Sequence, residues 1–103
     1  MPRALGVTSL QILAAIRAET GYGLDIVART GLPTGTVYPA LGRLKDAGLL
    51  TAHWEDQRDA DREGRPRRRY YRLTPAGRTA LAEGAQRLGA MAAALRAFGG
   101  SRS

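Results

Sequence analysis

The sequence has no cysteine, one histidine, one phenylalanine, one tryptophan, and a single lysine among its sixteen basic residues. Without thiols there are no disulfides and no thiolate metal sites. With one histidine, and no nucleophile placed beside a base or pair of carboxylates set for acid–base work, an enzyme is not expected. Long apolar runs are also missing, so no membrane span is expected. The N-terminal Met1-Pro2-Arg3-Ala4-Leu5 lacks the apolar stretch of a secretory signal. These absences point to a cytoplasmic protein with no cofactor and no metal site. A chain of 103 residues fits one domain with a thin core, so burial against a partner subunit would add to its stability.

What the chain does have is positive charge, +7 in total, carried almost wholly by arginine. Arginine makes forked contacts to phosphate and to guanine that lysine cannot copy. A GC-rich genome also raises arginine by codon use, so the distribution says more than the total. Residues 65–72 hold five arginines and no acid, while residues 55–63 hold five acids.

Thr8–Glu19 reads as a first helix, with Leu10, Ile12, Leu13 and Ile16 on its apolar side and Thr8 or Ser9 as N-cap. Gly21-Tyr22-Gly23 interrupts the pattern, and a short second helix, Leu24–Arg29, stops at Gly31. Leu32-Pro33-Thr34-Gly35 is expected as a turn. A third helix runs from Thr36 to Ala47 with Val37, Leu41 and Leu44 inward. Pro39 sets that start: counted from Thr36 it falls where a missing N–H is harmless. Leu49–Trp54 and Arg69–Thr74 read as strands, the second with Tyr71 and Leu73 on one face and Tyr70 and Arg72 on the other. The polar stretch between them reads as a long loop with a mobile tip. Thr74-Pro75 caps a last helix that continues to about Phe98, and residues 99–103 read as a disordered tail.

The expected fold is therefore mainly α with a small β-hairpin: a winged helix-turn-helix over residues 1–74 and a long helix over residues 75–98. Helix three would present Thr34, Thr36, Tyr38, Pro39 and Arg43 to the major groove. In the arginine run, Arg67 and Arg69 point one way and Arg68 the other, with Arg65 near the loop tip, suited to phosphate or minor-groove contact. The neighbouring acids either pair with these arginines or keep the tip soluble. The last helix carries Leu81, Leu88 and Leu95 seven apart, with Gly84, Met91 and Phe98 three after each, a seam suited to a dimer. The competing reading folds this helix back on its own domain. His53 reads as a structural or surface residue and Trp54 as packing.

Gly35-Thr36-Val37-Tyr38-Pro39-Ala40-Leu41, followed by Gly48-Leu49-Leu50 and then by Arg69-Tyr70-Tyr71-Arg72-Leu73-Thr74-Pro75-Ala76-Gly77, resembles the PadR family of bacterial transcriptional regulators. Gly21-Tyr22-Gly23-Leu24 looks like the family's approach to helix two, and the likeness runs over about residues 5–98. Two departures stand out: a shorter link between helices two and three, and a longer, acidic wing. With one helix after the wing, the chain resembles the family's short branch. The resemblance implies a homodimeric repressor on double-stranded DNA with a palindromic operator, helix three reading it and the last helix forming the dimer. It also implies a small aromatic effector, for which Trp54, Met91 and Phe98 offer the apolar surfaces. The rival expectation is a non-specific nucleic-acid-binding or protein-interaction module that uses the basic ribbon alone.

Overall fold

The computed structural model describes residues 4–18 and 21–99. Helix α1 spans Val7–Ala18 and buries Leu10, Ile12, Leu13 and Ile16. Thr8 and Ser9 lie inside its first turn and do not cap it; the Gly6 carbonyl accepts the Leu10 N–H at 3.1 Å instead. Glu19, the expected last residue, lies outside the described residues. Helix α2 spans Gly23–Thr30 and ends where expected, at Gly31, whose φ of 71° suits a residue without a Cβ.

Helix α3 spans Thr34–Asp46, so it starts two residues before the proline argument placed it. The cause is Pro33. Its extended backbone puts its carbonyl where it accepts the N–H groups of both Thr36 and Val37 at 3.0 Å, closing the first turn around it. Of the expected turn, only Leu32 and Pro33 accordingly stay outside the helices. Pro39 now sits inside the helix and deprives the Gly35 carbonyl of its intrahelical donor. Gly35 is exposed, so solvent can take that carbonyl. Gly48, just past the end of α3, takes φ 79°, and the Leu49 N–H donates back to the Leu44 carbonyl at 3.0 Å.

Strands β1 (Leu50–Trp54) and β2 (Arg69–Leu73) pair antiparallel, from Leu50 opposite Leu73 to Trp54 opposite Arg69. A bridge between Tyr22 and Tyr70, with the Tyr71 N–H donating to the Gly21 carbonyl at 3.2 Å, ties the ribbon to the start of α2. The connection between the strands is not an open loop. It holds helix α4, Gln57–Arg62, capped by the Asp56 carboxylate, which accepts the Arg58 N–H at 2.8 Å. Asp59 pairs with Arg62, Gln57 donates to Asp61, and Ala60 is buried beneath.

Helix α5 spans Pro75–Gly99, with Thr74 as its cap: the hydroxyl accepts the Gly77 N–H at 3.0 Å and donates to the Gly48 carbonyl at 2.7 Å. Gly77 permits this junction, because a Cβ there would overlap the Leu49 carbonyl. Its helical Gly99 trims the expected tail to residues 100–103, which lie outside those described. The first half of α5 lies on α1. Leu81 is buried, and Gly84 is buried against Leu10 so closely that a Cβ would overlap the leucine side chain. This corrects the six-residue seam. Leu81 and Gly84 serve the chain's own core because the apolar stripe of α1 needs a cover, and Leu88 is half-buried at its margin. Only Met91, Leu95 and Phe98 stay outside, 56%, 66% and 81% exposed.

Candidate nucleic-acid interface

The outer side of α3 carries Thr34, Pro39, Gly42 and Arg43 exposed and Thr36 half-buried. Tyr38 is exposed over less than half its surface, because its ring lies on Gly23, where a Cβ would overlap it. The Gly21-Tyr22-Gly23 element thus has a second task besides breaking the helix: it gives α3 a seat against α2.

Beside α3 stands the wing. The Arg67 and Arg69 guanidinium carbons lie 4.9 and 5.5 Å from the Trp54 ring centre, on one face of the strand. Arg68 points the other way, 3.9 Å over the Tyr22 ring. The alternation is the expected one. Tyr22 is braced edge-on by Tyr70 at 5.8 Å, and His53 stacks on Tyr70 at 5.9 Å, which gives the lone histidine a structural place. Trp54 is half exposed and packs chiefly as a platform for arginines. Each aromatic face holds a cation without neutralising it. Among the described residues no carboxylate lies within ion-pair distance of Arg43, Arg67, Arg68 or Arg69.

Arg65 differs from its neighbours. It grips Glu55 with two nitrogens, at 2.6 and 2.7 Å, and Glu55 also accepts the Arg68 N–H at 3.1 Å. Both side chains are largely covered, 18% and 10% exposed. The Arg65 fork and the Arg68 amide hold the Glu55 carboxyl down at about 2, and Glu55 in turn raises Arg65. Arg65 is therefore a latch at the base of the α4 excursion and not a residue of its tip. The acids of the stretch do pair with arginines, but with Arg58, Arg62 and Arg65 and not with Arg67–Arg69.

Two features escaped the sequence reading. One is Tyr22, whose signal was its place between two glycines beside the candidate reading helix. The other is a basic cavity of about 290 Å³ lined by Arg17, Arg72 and Arg78, which only the packing of α1, β2 and α5 brings together. The three expected effector contacts are not gathered by the fold: none of Trp54, Met91 and Phe98 lines a cavity bordered by Tyr22, Leu24 and Tyr38, or a groove between α1 and α5 lined by Val7, Ala14 and Leu88. Among the described residues, no group of three His, Cys, Asp or Glu could hold a metal ion. No described helix is long and apolar enough to cross a membrane.

Residues 12–83 match the transcriptional regulator PadR-like family. The chain belongs to that family. It is 55% identical over 49 residues to a transcriptional regulator of Mycobacterium tuberculosis, a match covering 48% of this chain and 40% of that relative. Its fold is that of a PadR family transcription regulator from Clostridium difficile, with a TM-score of 0.80 at 23% identity over 90% of this chain and 98% of that one. It also resembles Bordetella bronchiseptica BpsR, whose DNA binding is regulated by 6-hydroxynicotinic acid, with a TM-score of 0.73 at 23% identity over 93% and 69% of the two chains. The chain is thus a PadR-family transcriptional regulator with a DNA-binding winged-helix fold.

Proposed function

We propose that this regulator is a sequence-specific repressor that binds a palindromic operator as a homodimer and is released by a small-molecule effector. The observation that carries the DNA reading is the set of three uncompensated arginines on the wing, two held on Trp54 and one on Tyr22, beside the exposed face of α3. In this reading residues 1–74 are the DNA-binding head. Thr34, Thr36, Pro39 and Arg43 meet the groove and its phosphates, Tyr38 sets the angle of α3 against α2, and Arg67–Arg69 follow the backbone or the minor groove. Residues 75–98 form the dimerisation helix. The support is the exposed Met91 and Leu95, continuous with an apolar groove that Val7, Ala14, Ala85 and Leu88 line between α1 and α5. A two-fold dimer would set its reading helices about 34–36 Å apart, one DNA turn. The effector finds support in the ligand-regulated DNA binding of the BpsR neighbour.

Pulling genomic fragments down with the purified protein and sequencing them tests this reading, with the chain's own upstream region as first candidate. A recovered palindrome should outcompete random duplex by about a thousandfold or more. Equal competition would instead make the chain a non-specific binder that uses its basic ribbon alone.

A further inference from the structure

Leu50, Ala52 and Trp54 alternate onto one face of β1, and along them the side chains pass from buried to half-buried to exposed. Directly opposite, β2 carries Leu73 and Tyr71, buried with Leu41 and Leu44 of α3, and then Arg69. The ribbon thus outruns the core. At its far end the core-facing side holds the only tryptophan of the chain, with Arg67 and Arg69 in place of packing partners. Tyr38 of α3 borders the same space as these two arginines, so this side of the ribbon looks along α3.

A guanidinium can be held in two ways, with opposite consequences. Glu55 takes Arg65 by its N–H edge, at 2.6 and 2.7 Å, and so occupies the donors a phosphate would need. An indole takes a guanidinium by its flat face and leaves the N–H edges open. Arg67 and Arg69, with their guanidinium carbons 4.9 and 5.5 Å from the Trp54 ring centre, are of the second kind. Among the described residues neither side chain forms a hydrogen bond or ion pair that competes with the ring, and the covered Arg69 Nε has no acceptor at all. Side-chain freedom already restricted by the ring is not lost again on binding.

We propose that Trp54 is a positioning residue for DNA: its ring holds the Arg67 and Arg69 guanidiniums face-on, so that both turn their N–H edges to the phosphates of a duplex. An uncharged side chain then decides how well two charges bind. The proposal deepens the reading of the wing as a DNA contact and rests on it, but it needs no operator, dimer or effector.

Fluorescence-anisotropy titration of a labelled random-sequence duplex with the full chain, at several salt concentrations, tests this. Trp54→Leu keeps the charge and an apolar side chain at an exposed position, and should weaken binding about five- to tenfold. Its salt slope should stay that of the wild type, since the same number of cations meets the phosphates. Trp54→Tyr restores a ring face and should recover most of the affinity. Arg67→Lys combined with Arg69→Lys also keeps the charge, yet should lose as much as Trp54→Leu, because an ammonium is a point charge without a face and an edge. In that double-lysine chain Trp54→Leu should cost nothing further, a result that a general disturbance of the wing would not give. The lysine pair also keeps the test open if Trp54→Leu does not fold. Wild-type affinity in Trp54→Leu or in the lysine pair, equal losses in Trp54→Leu and Trp54→Tyr, or losses that simply add would overturn the proposal and leave the wing's charge as a DNA contact. A wild-type chain that binds no duplex at low salt would remove the DNA reading itself, and the proposal with it.

Discussion

Glu55 receives two nitrogens of Arg65 and the amide of Arg68 on a single carboxylate, in a covered position at the foot of the wing. Its folded value of about 2 lies below the ordinary 4.5, so the folded protein releases this proton more readily than the unfolded chain. The resulting stabilisation is complete above about pH 4.5 and is lost as the pH falls through about 2. Glu55→Gln should therefore lower the urea midpoint at neutral pH, and the gap between the two proteins should close across that acid window. A gap independent of pH would show that the pair adds nothing through charge. Two glycines make a contrasting case. Gly77→Ala drives a methyl group into the Leu49 carbonyl and should destabilise the fold by about 1–3 kcal/mol in denaturant titration. Gly42 has open space at its Cβ position inside α3, so Gly42→Ala should stabilise by roughly 0.5–1 kcal/mol. If Gly42 also allows α3 to approach DNA closely, the same variant should bind operator more weakly.

At the scale of elements, the wing is where charge and geometry meet. Replacing Arg67, Arg68 and Arg69 by alanine removes three cations that no acid offsets. It should weaken binding to all duplexes and flatten the salt dependence by about one unit of slope per lost phosphate contact. An unchanged slope would take the wing out of the interface. Most elements could be read from the sequence because their signals are local. The apolar spacing of α1, the Thr74-Pro75 cap of α5 and the alternation of Arg67–Arg69 each lie within a few residues. Misreadings came where a distant or unexpected partner decides. The Pro33 carbonyl overrode the argument from Pro39 at the start of α3. Helix α4 has one buried apolar residue, Ala60, and so shows no periodicity; its stability comes from the Asp56 cap and short-range ion pairs. Arg65 looks like its neighbours in a row of arginines, and only the fold brings it to Glu55, ten residues earlier. The seating of Tyr38 on Gly23 and the cavity it helps to form depend on the angle between two helices, which no local pattern encodes.

The whole molecule is longer than its size requires. Its radius of gyration is 16.6 Å and its longest extent 59 Å, against about 13 Å of radius for a compact chain of 100 residues. The excess comes from α5, whose 25 residues reach roughly 37 Å while only the first half finds cover on α1. The apolar period of the helix therefore divides between two duties. Leu81 and Gly84 close the core of one chain, while Met91 and Leu95 stay exposed and would serve the second copy in the dimer proposed above. Substitutions in the two halves should then separate folding from assembly. Leu81→Ala should destabilise the fold by about 2–5 kcal/mol, as large-to-small core changes do. Met91→Glu combined with Leu95→Glu should leave helical content unchanged but shift the sedimenting species from dimer to monomer, since both positions are exposed in the single chain. The monomeric variant should still bind half of a palindromic operator, and should lose the gain that two joined heads bring on the full site. A variant that stays dimeric would place the interface elsewhere. A wild-type chain that sediments as a monomer and binds half and full sites alike would remove the two-fold reading altogether.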